Sequence, residues 1–273
     1  MPHKKWYKLL TKNVGGKFLQ VKINNWNINY EVIGEGNPVI LLHGWLANLE
    51  TMRPIANSLS QNFKVYLVDI VGFGKSDLPE HPLNTNDFGD FLAEFINTLK
   101  IENPILIGHS NGGRMIINSV GRGIVKPKKM VLIDSAGLVP KRKTKYYIKV
   151  GIFKAGKKVL NLLPNTKSFN SIKEKLLNNV GSSDYKASAP VLKETMKIII
   201  NEDMTEMLPK IKVPTLIFWG TLDTATPIED GRKMKELIED SGLIEYPGSS
   251  HFSYLENIQN FNAVLNEFFK NDK

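Results

Sequence analysis

The chain has 273 residues, 42% of them hydrophobic, and no cysteine, so it can bury a full core and excludes disulfides and thiolate metal centres. No apolar run approaches the roughly 18 residues of a membrane span. Trp6-Tyr7-Lys8-Leu9-Leu10 is too short and interrupted for a signal peptide, so a soluble cytoplasmic protein is expected. The formal charge of +9 is local: between Leu138 and Lys175 eleven Lys and Arg stand against one acid, Glu174, which leaves the rest of the chain close to neutral. Those basic residues bring no nucleic-acid recognition motif with them, and no His and acid cluster has metal-ligand spacing, so neither nucleic acid nor a metal is expected as a partner.

Residues 17–33 alternate in hydropathy on either side of Asn24-Asn25, which predicts a β-hairpin. Apolar runs from Val39 and Val65 predict two further strands. Between Asn86 and Leu99, Phe88, Phe91, Leu92, Phe95, Ile96 and Leu99 recur at helical spacing, an apolar stripe that faces a sheet. Strands follow at Ile105, Val131, Thr215 and Leu243, with a helix over about Ile228–Asp240 before the last. Eight strands with helices between them predict an α/β fold, a mostly parallel sheet covered on both faces. The alternation breaks between Gly137 and Leu208, which divides the chain into a core of residues 1–136 and 209–273 and an insertion of residues 137–208. Inside it, Ile148, Ile152, Ala155, Val159 and Leu163 share helical spacing with lysines elsewhere. That segment reads either as a solvated basic face or as a surface attracted to anionic lipid or an acidic substrate.

The sharpest local signal is Gly108-His109-Ser110-Asn111-Gly112, between the apolar run Ile105-Leu106-Ile107 and the helix-like Arg114-Met115-Ile116-Ile117. Strand, tight turn, helix is the context that pushes a serine hydroxyl out of a sheet. Gly108 and Gly112 leave room for strand and helix to pass. A serine needs a histidine to take its proton and a carboxylate to orient that histidine. Of five histidines, His3 lies near the chain start, His81 in a proline-flanked loop, His109 beside the serine with a different direction, and His43 at the start of a loop where it serves as scaffold. His251, in Gly248-Ser249-Ser250-His251-Phe252, is the base candidate. The acid is Asp223, after the strand through Trp219, with Asp134 as its competitor at the end of the strand Met130–Ile133. Asp69 reads as structural, accepting backbone N–H groups from the Gly72–Asp77 loop.

Serine, then acid, then histidine is the chain order of the α/β-hydrolase superfamily. From about residue 17 onward the chain resembles that superfamily, as a serine esterase or lipase-like member. The resemblance rests on Leu42-His43-Gly44-Trp45, Asp69 through Ser76, the serine turn, Trp219-Gly220-Thr221-Leu222-Asp223 and Gly248 through Phe252. It implies that residues 137–208 form a helical cap over the site and that the Trp45 and Asn111 N–H groups make the oxyanion hole. It also implies that a carboxylic ester is cleaved through an acyl-enzyme without a cofactor. Asn111 departs from the pattern, since many relatives carry Met, Phe or Tyr there. A carbon–carbon bond hydrolase of ring-cleavage dienones, another hydrolase such as a lactonase or aminopeptidase, and a ligand sensor that kept the pocket remain alternatives.

Overall fold

A computed structural model describes residues 17–139 and 188–273. Its eight strands are β1 (Lys17–Ile23), β2 (Trp26–Ile33), β3 (Asn37–Leu42), β4 (Phe63–Val68), β5 (Ile105–His109), β6 (Lys129–Ile133), β7 (Thr215–Gly220) and β8 (Ser241–Tyr246). They form one sheet in the order β1-β2-β4-β3-β5-β6-β7-β8. The pairings β1–β2 and β2–β4 are antiparallel, and the five others, from β4 to β8, are parallel. All eight sit where the hydropathy pattern puts them: the hairpin strands alternate, and the central strands, covered on both faces, read as short continuous apolar runs.

Strand periodicity sorts the side chains into two cores. Ile40, Leu42, Ile217 and Trp219 point into one layer with Phe88, Phe91 and Phe95 of α2 (Thr85–Thr98) and Ile116 and Ile117 of α3 (Asn111–Gly121). Val39, Leu41, Leu216 and Phe218 point into the other, with Ile55 of α1 (Arg53–Leu59) and Phe261 and Leu265 of the helix Ile258–Phe268. The start of α2 is fixed by a capping box: Asn84 accepts from the Asp87 N–H while Asp87 accepts from the Asn84 N–H. The helix Ile228–Leu237 stops short of the expected Asp240. Ile238 is extended and buried, and the Asp240 carbonyl already accepts from Thr215 N–H, which leads the chain into β8.

Of residues 137–208, the described part is 137–139 and 188–208, and it packs against α2 and α3. The helix Pro190–Ile199 buries Leu192, Thr195 and Ile199. Thr195 Oγ1 accepts from Leu83 N–H at 2.9 Å, and Glu202 accepts from the Thr85 N–H and hydroxyl. Arg114 donates to the Glu202 carbonyl at 3.0 Å. Ile148, Ile152, Ala155, Val159 and Leu163 and all eleven basic residues between Leu138 and Lys175 lie outside the described residues. Among the described residues no helix is long and apolar enough to cross a membrane.

The loop after β3 is anchored by Arg53, which holds Glu31 of β2 with two hydrogen bonds of 3.1 and 2.6 Å and Glu50 with two more. Glu31 is 1% exposed. Arg53→Met removes charge-assisted bonds from a buried carboxylate and is expected to destabilise the fold by about 3–5 kcal/mol. Urea denaturation checks this, and an unchanged midpoint would show that the pair contributes nothing.

Candidate active site

Ser110 sits between β5 and α3 with φ +52° and ψ −113°, a conformation that side chains rarely adopt. Its surroundings over-determine it. The Ser110 N–H donates to the Ile133 carbonyl at 2.9 Å, and its own carbonyl accepts from Ala136 and Arg114. A Cβ on Gly112 would lie 2.4 Å from the Leu42 carbonyl oxygen, and one on Gly108 2.5 Å from the Gly112 carbonyl carbon. The two flanking glycines are therefore required by backbone approach, as the motif implied.

His251 lies on the loop after β8. Its Nε2 is 3.0 Å from Ser110 Oγ and its Nδ1 is 2.7 Å from Asp223 Oδ2. Asp223 is a buried carboxylate on the loop after β7, so Nδ1 is the donor to it and Nε2 is left to accept the serine proton. Asp223 Oδ1 accepts from the Ala225 and Thr226 N–H groups at 2.7 and 3.1 Å. The Thr226 hydroxyl lies 2.7 Å from Oδ2. Burial works to raise the Asp223 pKa, but the hydrogen bonds from His251 and Thr226 outweigh it and hold the carboxyl below its ordinary value. The three residues singled out from sequence thus meet at the carboxyl ends of β5, β7 and β8.

Asp134 does not compete for His251. It is fully buried, with Oδ1 on the Gly220 N–H at 2.8 Å and Oδ2 on the Ser253 N–H and hydroxyl at 3.1 and 2.7 Å. It ties together the loops that present Asp223 and His251. Burial pushes its pKa up to about 7. Asp69 holds Leu49 N–H, Lys75 N–H and the Asn29 amide, the structural role expected of it.

His43 is scaffold: its Nδ1–H donates to the Gly44 carbonyl at 2.7 Å and its Nε2 accepts from Ile70 N–H at 3.1 Å. His81 is exposed, and His3 lies outside the described residues. Gly44 does not take a left-handed conformation; a Cβ there would lie 2.8 Å from His109 Nδ1 and 3.2 Å from Ser110 Cβ. Its lack of a side chain makes room for the serine turn and for His109.

His109 belongs to the site, which its position in the sequence did not suggest. Its Nε2–H donates to the main-chain carbonyl of His251 at 2.7 Å, and the two ring centroids are 4.9 Å apart. Phe252 and Tyr254 close around it. Burial and the neighbouring His251 push its pKa down to about 3, so it is a neutral pillar under the His251 loop. The one sequence hint is a glycine, Gly44, at the end of the adjacent strand.

The N–H groups of Trp45 and Asn111 have no hydrogen-bond partner among the described residues. Both lie beside Ser110, one after β3 and one at the first position of α3, where helix N–H groups are free and the dipole favours negative charge. The Trp45 indole is used otherwise, donating to Ser188 Oγ at 3.3 Å and packing edge-on to Phe73. No group of three His, Asp or Glu among the described residues is placed to hold a metal ion.

The family model for the alpha/beta hydrolase fold matches residues 37–258. The chain is 28% identical over 258 residues to the AB hydrolase superfamily protein YisY of Bacillus subtilis (strain 168), covering 87% of this chain and 93% of that protein. It is 28% identical over 262 residues to the pimeloyl-[acyl-carrier protein] methyl ester esterase of Wigglesworthia glossinidia brevipalpis, covering 88% and 97%. Among solved structures, the esterase from Exiguobacterium antarcticum superposes with a TM-score of 0.70 at 26% identity, covering 94% of this chain and all of that one.

The buried Asp134 gives a pH signature. With its pKa raised to about 7, the folded protein keeps a proton that the unfolded chain releases near pH 4. Its contribution to stability is therefore full at low pH and falls as pH rises from about 4 to about 7. Asp134→Asn keeps an acceptor for Gly220 and removes this slope. Urea midpoints measured across that window check it; the same slope in both proteins would assign it to another group.

Proposed function

The chain belongs to the alpha/beta hydrolase fold family, and on that premise we propose that it is a serine hydrolase of carboxylic esters, acting through an acyl-enzyme. The observation that carries the reading is the continuous relay Ser110–His251–Asp223, with links of 3.0 and 2.7 Å. In this mechanism His251 Nε2 takes the Ser110 proton as Oγ attacks the ester carbonyl. Asp223 fixes the imidazole tautomer and stabilises the imidazolium. The oxyanion is held by the Trp45 and Asn111 N–H groups, each worth about 10²–10³ in rate. His251 gives its proton to the leaving alcohol, then activates a water that releases the acid from Ser110.

Residues 137–208 act in this reading as the cap beneath which a small-molecule ester binds. An aminopeptidase would need spare acids there for a substrate ammonium. Three of the described acids are already engaged: Glu194 with Lys197, Glu202 with Thr85, and Asp203 with Thr205. The similarity to named esterases supports ester cleavage over amide cleavage.

Ser110→Ala is expected to lose about 10⁶ in turnover of a short-chain aryl ester, because the relay works as a unit. Activity near wild type in that variant would overturn the assignment. Asp223→Asn is expected to lose about 10⁴ through the wrong imidazole tautomer, and Asp134→Asn far less. The reverse ranking would move the acid to Asp134. A fluorophosphonate that labels Ser110 in a protein without turnover on any ester would point to a ligand sensor.

A further inference from the structure

A cleft of about 630 Å³ lies at the amino ends of β3, β4, β5 and β6, the opposite end of the sheet from Ser110. That volume is in the range of sites for small organic molecules. From Asn103 on its wall to Ser110 the chain runs seven residues along β5, about 23 Å at strand spacing. The cleft is therefore separate from the Ser110–His251–Asp223 relay.

Its lining is basic. Lys64, Lys100 and Lys128 stand against one carboxylate, Glu102. Lys128 is held by Asp272 at 2.9 Å, but Lys64 and Lys100 make no ion pair among the described residues. Tyr66 stands on the same face of β4 as Lys64, and Lys64 Nζ lies 5.5 Å from the centre of its ring. Tyr66 lines the cleft and is only 7% exposed, yet its hydroxyl has no hydrogen-bond partner among the described residues. A tyrosine buried to that degree usually finds one.

Lys100 occupies a position where glycine is usual. The helix α2 ends in a Schellman motif, in which Ile101 N–H donates to the Ile96 carbonyl at 3.0 Å and Lys100 N–H to the Asn97 carbonyl at 3.1 Å. This motif puts Lys100 at φ +51°, a conformation that costs a lysine strain and a glycine none. A strained lysine, an unpaired lysine and an unpartnered phenol thus share one cleft, and a ligand that draws on all three accounts for them.

We propose that this cleft binds a small sugar or polyol phosphate. Its phosphate group is held by the Lys64 and Lys100 ammonium groups and by the Tyr66 hydroxyl. A phosphate monoester carries close to two negative charges at neutral pH and three acceptor oxygens, which matches two cations and one hydroxyl donor. A carboxylate brings one charge and two oxygens. Ammonium groups bind phosphate as point charges, so no planar fork is needed. Glu102 and Asn103 line the same cleft and offer acceptors for hydroxyl groups, which suits a polyhydroxy compound better than an alkyl phosphate.

The test titrates ribose 5-phosphate, inorganic phosphate and ribose into the whole chain by calorimetry, at pH 7.5 and fixed ionic strength. Ribose 5-phosphate is expected to bind at one site, inorganic phosphate about 10-fold more weakly, and ribose not measurably. Tyr66→Phe removes only the unpartnered hydroxyl and is expected to weaken ribose 5-phosphate by about 3- to 10-fold, and Lys64→Gln by about 10-fold or more. Lys100→Gly is expected to lose affinity by a similar factor while unfolding at a higher urea concentration than the wild type, since it relieves the left-handed strain. A loss of binding in that variant is then not a loss of fold. No binding by the wild type overturns the inference. So does equal affinity in the wild type and the three variants, which would put the anion on the basic segment between Leu138 and Lys175. Inorganic phosphate bound as tightly as ribose 5-phosphate overturns the choice of a sugar phosphate. None of these readouts uses ester turnover, so they stand or fall apart from the hydrolase reading.

Discussion

The site depends on one tight crossing of backbone: β5 runs into α3 through Ser110, and the start of α3 lies against the end of β3. The contact is close enough that a methyl group on Gly112 would strike the Leu42 carbonyl. That closeness leaves Ser110 in a backbone conformation of its own and sets its hydroxyl above the sheet edge. It also brings the loop after β3 against the serine turn, where a side chain on Gly44 would meet His109 and Ser110. Three main-chain hydrogen bonds at Ser110, to Ile133, Ala136 and Arg114, hold the strain in place.

A second constraint acts across the sheet. Ser110, Asp223 and His251 arrive on three different loops, and a relay of 3.0 and 2.7 Å links tolerates little drift between them. Two buried side chains outside the Ser110–His251–Asp223 chain of hydrogen bonds tie those loops together. Asp134 joins Gly220, at the root of the Asp223 loop, to Ser253, two residues past His251. His109 holds the His251 carbonyl from the strand that ends in the serine turn. The sheet supplies the common edge, and these two residues supply the register between its loops.

The parts legible in sequence are those that repeat or that local geometry demands. The hairpin strands announce themselves by alternation, the central strands because both faces are buried, and α2 because its apolar stripe recurs with the helical period. The meeting of Ser110, Asp223 and His251 is legible because the serine turn is local and because few histidines and strand-end acids compete for the other two places. His109 and Asp134 are not legible in the same way. Each is defined by where its side chain points, and adjacent residues at a strand end can point to opposite sides. Gly44 shows the difficulty: in sequence it is one residue of a motif, and the structure gives it an ordinary conformation and a neighbour, His109, that needs the space. The end of the helix Ile228–Leu237 was set by a hydrogen bond to β7, which no local pattern carries.

The charges of the site follow from the same burial that orders it. Asp223 is the carboxyl whose hydrogen bonds overcome its burial, so it stays ionised, while Asp134 is pushed the other way. His43 and His109 are both buried, and burial keeps both neutral. In the proposed mechanism this matters at the moment His251 takes the serine proton. A charged His109 ring 4.9 Å from an imidazolium would oppose the transfer by about 3 kcal/mol even at an effective dielectric constant of about 20. Such a term would cancel more than a hundredfold of rate. By holding the loop with a neutral ring, the fold obtains a rigid support under His251 without placing a positive charge beside it. The carboxylate on the far side of the imidazole is then left as the dominant charge it meets.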